Sequence, residues 1–219
     1  MINKTLIAGA LLLAGGTAAA ATWQVEITNV TPGQIFTPLL VATHSGNIDL
    51  FEVGEAASAN IERIAEGGDI GPAKMALESA PYGVGDIQTH DALLMPGESV
   101  TLTLQGRPGQ RLSLASMLIH TNDTFVGVDS VFLPVRGGMT IEALAYDAGT
   151  EFNDQDCANI PGPDCGGAPF SAAADTDEKF IHVGNGFHTL GEGTLAPAPY
   201  DWNNPVAIIN VQRVYGHDW

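Results

Sequence analysis

Two short segments hold carboxylates where carboxylates can do chemistry. Asp123-Thr124-Phe125-Val126-Gly127-Val128-Asp129-Ser130 and Tyr146-Asp147-Ala148-Gly149-Thr150-Glu151 each attach an acidic turn to an apolar, strand-like run. Of the 15 residues from Val131 to Ala145, 13 are uncharged, and the stretch reads as strand, Gly137-Gly138 turn, strand. Antiparallel strands joined there bring their far ends together, which sets Asp123 and Asp147 side by side at one edge of a sheet. Crowded carboxylates repel unless a cation neutralises them, and hard oxygen ligands on loops favour Ca²⁺. Spacing alone favours a simpler role, in which Asp147 forms a turn ahead of Gly149 and Asp123 bonds to nearby backbone.

A second constellation is His182-Val183-Gly184-Asn185-Gly186-Phe187-His188 together with His120. Histidines around a Gly-rich turn can ligate Zn²⁺ or Cu²⁺, so His120, His182 and His188 are the alternative metal ligands. His44 continues an apolar run and is expected to satisfy buried backbone groups instead. Catalytic signatures are absent: there is no Gly-x-Ser-x-Gly elbow, no His-Glu-x-x-His and no phosphate-cradling glycine loop. Ser130 follows Asp129, but strand alternation sends the two to opposite faces. Asp123 and Asp147 could act as a glycosidase pair, which requires about 5–10 Å between carboxyls. Only Tyr200 and Trp202, flanking Asp201, offer aromatic walls for a sugar. The expectation is a non-enzymatic protein, with a carboxylate-dependent glycan-active enzyme or a periplasmic transition-metal binder as the alternatives.

These residues must be positioned by strands. Trp23 to Val30 alternates apolar and polar residues, and Thr31-Pro32-Gly33-Gln34 is a turn. Pro38 to Thr43 reads as a more buried strand. Further strands follow at Ser99–Leu104, Leu112–Ile119, Phe125–Leu133, Met139–Ala145 and Val206–Val214. Glu55 to Glu66 is the one expected helix, with Ala57, Ile61, Ile64 and Ala65 as its apolar stripe and Gly67-Gly68 as its stop. Gly83 to Asp91 reads as loop. From Asp147 to Glu178 there are eight acidic residues and no basic one. That stretch is expected to be a long acidic loop, a length that is usually functional or disordered. Many short strands with one helical insertion indicate an all-β, antiparallel β-sandwich.

The start of the chain, Met1-Ile2-Asn3-Lys4, then Leu6 to Leu13, then Gly15 to Ala21, has the charged, apolar and small-residue regions of a secretory signal peptide. Residues 1–21 are assigned to it and 22–219 to one domain. No second stretch is long enough for a membrane span, which takes roughly 20 apolar residues. The net charge is −17, and it becomes −18 once Lys4, the only charged residue before position 22, is removed. Such a surface disfavours nucleic acid and anionic membranes. Cys157 and Cys165 are the only cysteines, and in an exported protein they are expected to form a disulfide around Pro161-Gly162-Pro163. A secreted or periplasmic location follows.

Several of these segments, taken in order, resemble a known family. Phe36-Thr37-Pro38-Leu39-Leu40-Val41-Ala42-Thr43-His44 and the helix ending at Gly67 resemble the start of a spondin domain. Phe125-Val126-Gly127-Val128-Asp129-Ser130 and Tyr146-Asp147-Ala148-Gly149-Thr150 are similar to its later motifs, and Val206–Val214 fits its closing strand. The resemblance implies a C2-like β-sandwich with bound Ca²⁺, held by Asp123, Asp147 and Glu151. It departs from the family at His120-Thr121-Asn122 and Thr124-Phe125, and in having Glu rather than Asp at 151. Three acids do not fill a Ca²⁺ shell of about six to eight oxygens, so backbone carbonyls, water, Asn122, Asn153 or Asp154 would supply the rest. The resemblance implies a secreted calcium-binding interaction or adhesion module whose partner is an extracellular protein or glycan.

Overall fold

The computed structural model describes residues 20–170, 177–187 and 195–215. The assigned signal peptide lies, for residues 1–19, outside them, as does His188. The strands are β1 (Ala21–Asn29), β2 (Leu39–His44), β3 (Val84–His90), β4 (Ser99–Gly106), β5 (Arg111–Met117), β6 (Thr124–Phe132), β7 (Gly138–Asp147), β8 (His182–Val183) and β9 (Ala207–Val214). The helices are α1 (Ala59–Gly67), α2 (Gly71–Glu78) and α3 (Pro197–Tyr200).

Alternation explains the strands. In β1, Trp23, Val25 and Ile27 are buried and Gln24 and Glu26 face water. All strand pairings are antiparallel, in the order β3-β2-β5-β6-β7-β9-β1-β4, with β8 added beside β7. The two ends of this order approach each other. Gln105 N donates to Asp86 Oδ2 at 2.8 Å, and Thr43 Oγ1 donates to Gln105 O at 2.6 Å. The result is a barrel-like sandwich, nearly closed. Its interior holds Trp23, Ile27, Leu39, Val41, Leu114, Val126 and Ile209.

β2 is buried along its whole length because both of its faces are covered. Leu39 and Val41 point into the interior, while Leu40 and Ala42 join Ile61, Ile64, Ala73, Leu77, Ala115 and Phe125 under α1 and α2. The helical insertion differs from the sequence expectation. α1 begins at Ala59 rather than Glu55, because Ser58 caps it and its Oγ accepts from Ile61 N at 3.3 Å. Gly68 ends it in the left-handed conformation at φ +64°, as a C-terminal glycine can. A second helix, α2, follows where the sequence analysis expected only one. Proline is tolerated in a first helical turn, where its missing N–H costs nothing. β3 replaces the loop expected over Gly83–Asp91. It lies at one end of the strand order and is half-buried everywhere except the exposed Gly85, so it shows no alternation.

β7 decides where the site lies. Its first half, Gly138–Ala143, pairs with β9, and its second half, from Leu144 to Asp147, pairs with β6. Tyr146 and Asp147 also pair with Val183 and His182 of β8. The expected hairpin therefore opens at its Gly-Gly end and closes at its acidic end.

Candidate metal centre

The last pair of the β6–β7 ladder sets Thr124 opposite Asp147, so Asp123 lies directly beside Asp147 as the sequence predicts. Ala148 N donates to Asp123 O at 3.1 Å and closes that corner. Asp147 Oδ1 accepts from Gly149 N at 2.8 Å, the turn-forming role that spacing favours. Gly149 has φ +67°, and a Cβ there would stand 2.5 Å from Phe180 O, so glycine is required. The turn folds Thr150 and Glu151 back over Asp123. Thr150 N, Glu151 N and Thr150 Oγ1 donate to Asp123 Oδ2 at 2.7, 3.0 and 3.3 Å.

Asp123 has no solvent exposure, and its Oδ1 receives no hydrogen bond. Burial, then the charge of Asp147, pushes its carboxyl well above the ordinary range. The N–H groups of Glu151 and Thr150 oppose this, and the Glu151 charge adds to it. Asp147 is raised for the same first reason. Asn153 Nδ2, which donates to its Oδ2 at 2.7 Å, and His182 and Gly149 N pull the other way. Asp123 therefore lies between two other carboxylates at the closed end of the sandwich.

Glu151 is buried, and its carboxyl meets Glu66 from the last turn of α1. Glu66 is 1 % exposed, with neither oxygen in a well-formed hydrogen bond. Its carboxyl is pushed up to about 7 by burial and by the charges of Glu151 and Glu62, with Thr150 opposing. The sequence pattern does not mark Glu66. The available signal was its place: an acid in the last helical turn opposes the helix dipole, so helix stability does not account for it.

The three expected ligands share one edge without forming one tight cluster. Among the described residues, the group whose ligand atoms all lie within 4.8 Å of one another is Asp147, Glu178 and His182. His182 Nε2 is 3.5 Å from Asp147 Oδ1 because the two residues face each other across the β7–β8 ladder. Glu178 was also unmarked. Nothing in the sequence pattern marks it, because Lys179, at φ +66°, interrupts any strand alternation between Glu178 and His182.

The remaining candidates are separated. His120 is buried, with Nε2 2.6 Å from Asp164 Oδ2, and its ring packs on Tyr200 with ring centroids 4.2 Å apart. It does not join His182 in a ligand group among the described residues, and His188 lies outside them. Asn122 Nδ2 bonds Asp154 Oδ1 at 3.0 Å, which ties the two loops together. Asp164 belongs to the loop closed by the Cys157–Cys165 disulfide, which forms as expected. Of the catalytic candidates, Asp129 Oδ1 accepts from Leu50 N and from Ser113 Oγ, while Ser113 Oγ lies 2.7 Å from His44 Nε2. This hydroxyl sits between the imidazole and the carboxylate. A nucleophile relay needs the imidazole in the middle. Trp202 is buried at the edge of the core.

No helix among the described residues is long and apolar enough to cross a membrane. No curated protein matches the chain. The Spondin_N family model matches residues 22–156, from β1 through the turn that carries Asp147 and Glu151. Membership of this family of extracellular modules and the disulfide fit an extracellular setting. The Spondin_N match spans well over half of the chain, and the protein belongs to the spondin N-terminal domain family.

Proposed function

We propose that this protein is a calcium-binding, non-enzymatic extracellular interaction module, with the ion held by Asp123, Asp147 and Glu151. One observation carries the reading: the buried Asp123 carboxylate has three donors on Oδ2 and none on Oδ1, while the charges of Asp147 and Glu151 both act on it. An uncompensated buried carboxylate costs several kcal/mol, and a hard divalent cation is the natural remedy for an all-oxygen donor set. The bound ion supplies the missing positive charge. The chain's own residues do the rest: Asp123 pins Thr150 and Glu151, Asp147 shapes the turn, and Asn122 and Asp154 link the 121–124 and 147–154 loops. The braced edge is the surface offered to an extracellular protein or glycan. A non-enzymatic role is supported by the order of His44, Ser113 and Asp129, which leaves no relay to a nucleophile.

Thermal unfolding with Ca²⁺ and with chelator tests the reading. At a hundred-fold excess over Kd, binding adds about 2.7 kcal/mol, a rise of roughly 5–11 °C for a domain of this size. Asp123→Asn removes the rise. A wild-type midpoint that ignores Ca²⁺ would sink the proposal.

A further inference from the structure

We infer that Asp147, Glu178 and His182 form a second metal site, sharing Asp147 with the calcium site, that takes a borderline first-row divalent cation, with Zn²⁺ as its probe. The inference goes beyond the calcium reading and stands without it. Glu178 and His182 also lie outside the residues that match the family.

The first argument is distance. The three ligand atoms lie within 4.8 Å of one another. An ion bound at about 2.0–2.2 Å needs its ligand atoms roughly 3–4 Å apart, so a small closing shift completes the set. Glu178 is exposed and free to make that shift, whereas Asp147 is buried and His182 half-buried. The segment carrying them is held by its backbone: Lys179 N donates to Gly149 O at 2.8 Å and Ile181 N to Glu55 O at 2.8 Å.

The second argument is the imidazole. His182 Nδ1 is 3.2 Å from Val183 O, and a carbonyl only accepts, so Nδ1 carries the proton. Nε2 is the ring atom turned towards the Asp147 carboxylate, 3.5 Å from its Oδ1, and it is buried without a hydrogen-bond partner. In the neutral imidazole Nε2 offers a lone pair that repels carboxylate oxygens unless a cation stands between them, whereas an imidazolium pairs with Asp147 directly. A backbone carbonyl that fixes the tautomer of a ligating histidine is the usual outer-shell arrangement at metal sites.

The third argument is the cavity that these residues line together with Asn153, Gln155 and Trp202. Its volume is about 110 Å³, well above the roughly 10–15 Å³ that one water needs. That suits an ion with a partial water shell. Gln155 Oε1 and Trp202 Nε1, on side chains 4 % and 6 % exposed, line the same cavity without hydrogen-bond partners. Imidazole with two carboxylates favours Zn²⁺ or Mn²⁺ over Ca²⁺, which prefers oxygen alone.

The test is calorimetric titration of Zn²⁺ into the tag-free protein at saturating Ca²⁺. The expected result is one Zn²⁺ per chain, with affinity reduced at least tenfold in His182→Gln and in Glu178→Gln. Because Glu178 is exposed, its variant reports on binding even if His182→Gln folds poorly. Asp123→Asn is expected to keep Zn²⁺ binding while losing the calcium response. Absence of Zn²⁺ binding in the wild type, unchanged affinity in Glu178→Gln, or full displacement of Zn²⁺ by Ca²⁺ would overturn the second site. Zn²⁺ binding without any thermal response to Ca²⁺ would overturn the calcium reading and leave this one standing.

Discussion

Glu66→Gln should make the metal-free protein more stable at alkaline pH and leave it unchanged in acid. Glu66 is buried against Glu151 at the negative end of α1, and its carboxyl titrates near 7 in the folded state against 4.5 in its ordinary state. With the folded value above the unfolded one, the native state holds more protons between those pH values, so stability falls as pH rises through the window. Below about 4.5 both states are protonated and the cost is absent. Above about 7 it is complete. At about 1.4 kcal/mol per pKa unit, the full cost is at most about 3 kcal/mol, since Glu151 shares the same environment. Glutamine keeps the volume and removes the charge. Urea unfolding in chelator should give equal stabilities at about pH 4, and at about pH 8 an advantage for the variant approaching that figure. Added Ca²⁺ should narrow the gap, because an ion beside Glu151 neutralises the same field. Equal stability at the alkaline pH, or a less stable variant there, would refute the reasoning.

Breaking the Cys157–Cys165 bridge by reduction, or by replacing both cysteines with serine, should cost about 2–3 kcal/mol in urea unfolding, the loop entropy expected for a separation of 8 residues. Leu114→Ala, inside the sandwich, should cost about 2–5 kcal/mol in the same assay while leaving metal titrations unchanged, since Leu114 packs in the interior core rather than at the acidic edge.

The strands were legible where one face meets water and the other the core. β1 shows this most plainly, with Trp23, Val25 and Ile27 alternating against Gln24 and Glu26. β3 was not legible, because a strand half-buried at every position but Gly85 carries no period. α2 was not expected beyond the Gly67-Gly68 stop, although a proline such as Pro72 starts a helix as readily as it stops one.

The same division runs through the site. Asp123 and Asp147 could be placed together from the chain alone, because an antiparallel pair with a known turn fixes which ends meet. Glu66 and Glu178 could not. They reach the site from an inserted helix and from a segment that docks beside β7, and contacts between residues so distant in the chain are set by packing. Nor could the sequence say which carboxylate oxygens have partners, because that depends on how the turn at Gly149 wraps Thr150 and Glu151 around Asp123. Local patterning, then, determined that this is a β-sandwich with an acidic edge. Only the tertiary structure decided that the edge joins a buried carboxylate with one unbonded oxygen to a histidine whose Nε2 faces Asp147, because burial and ligand convergence are properties of the packed chain.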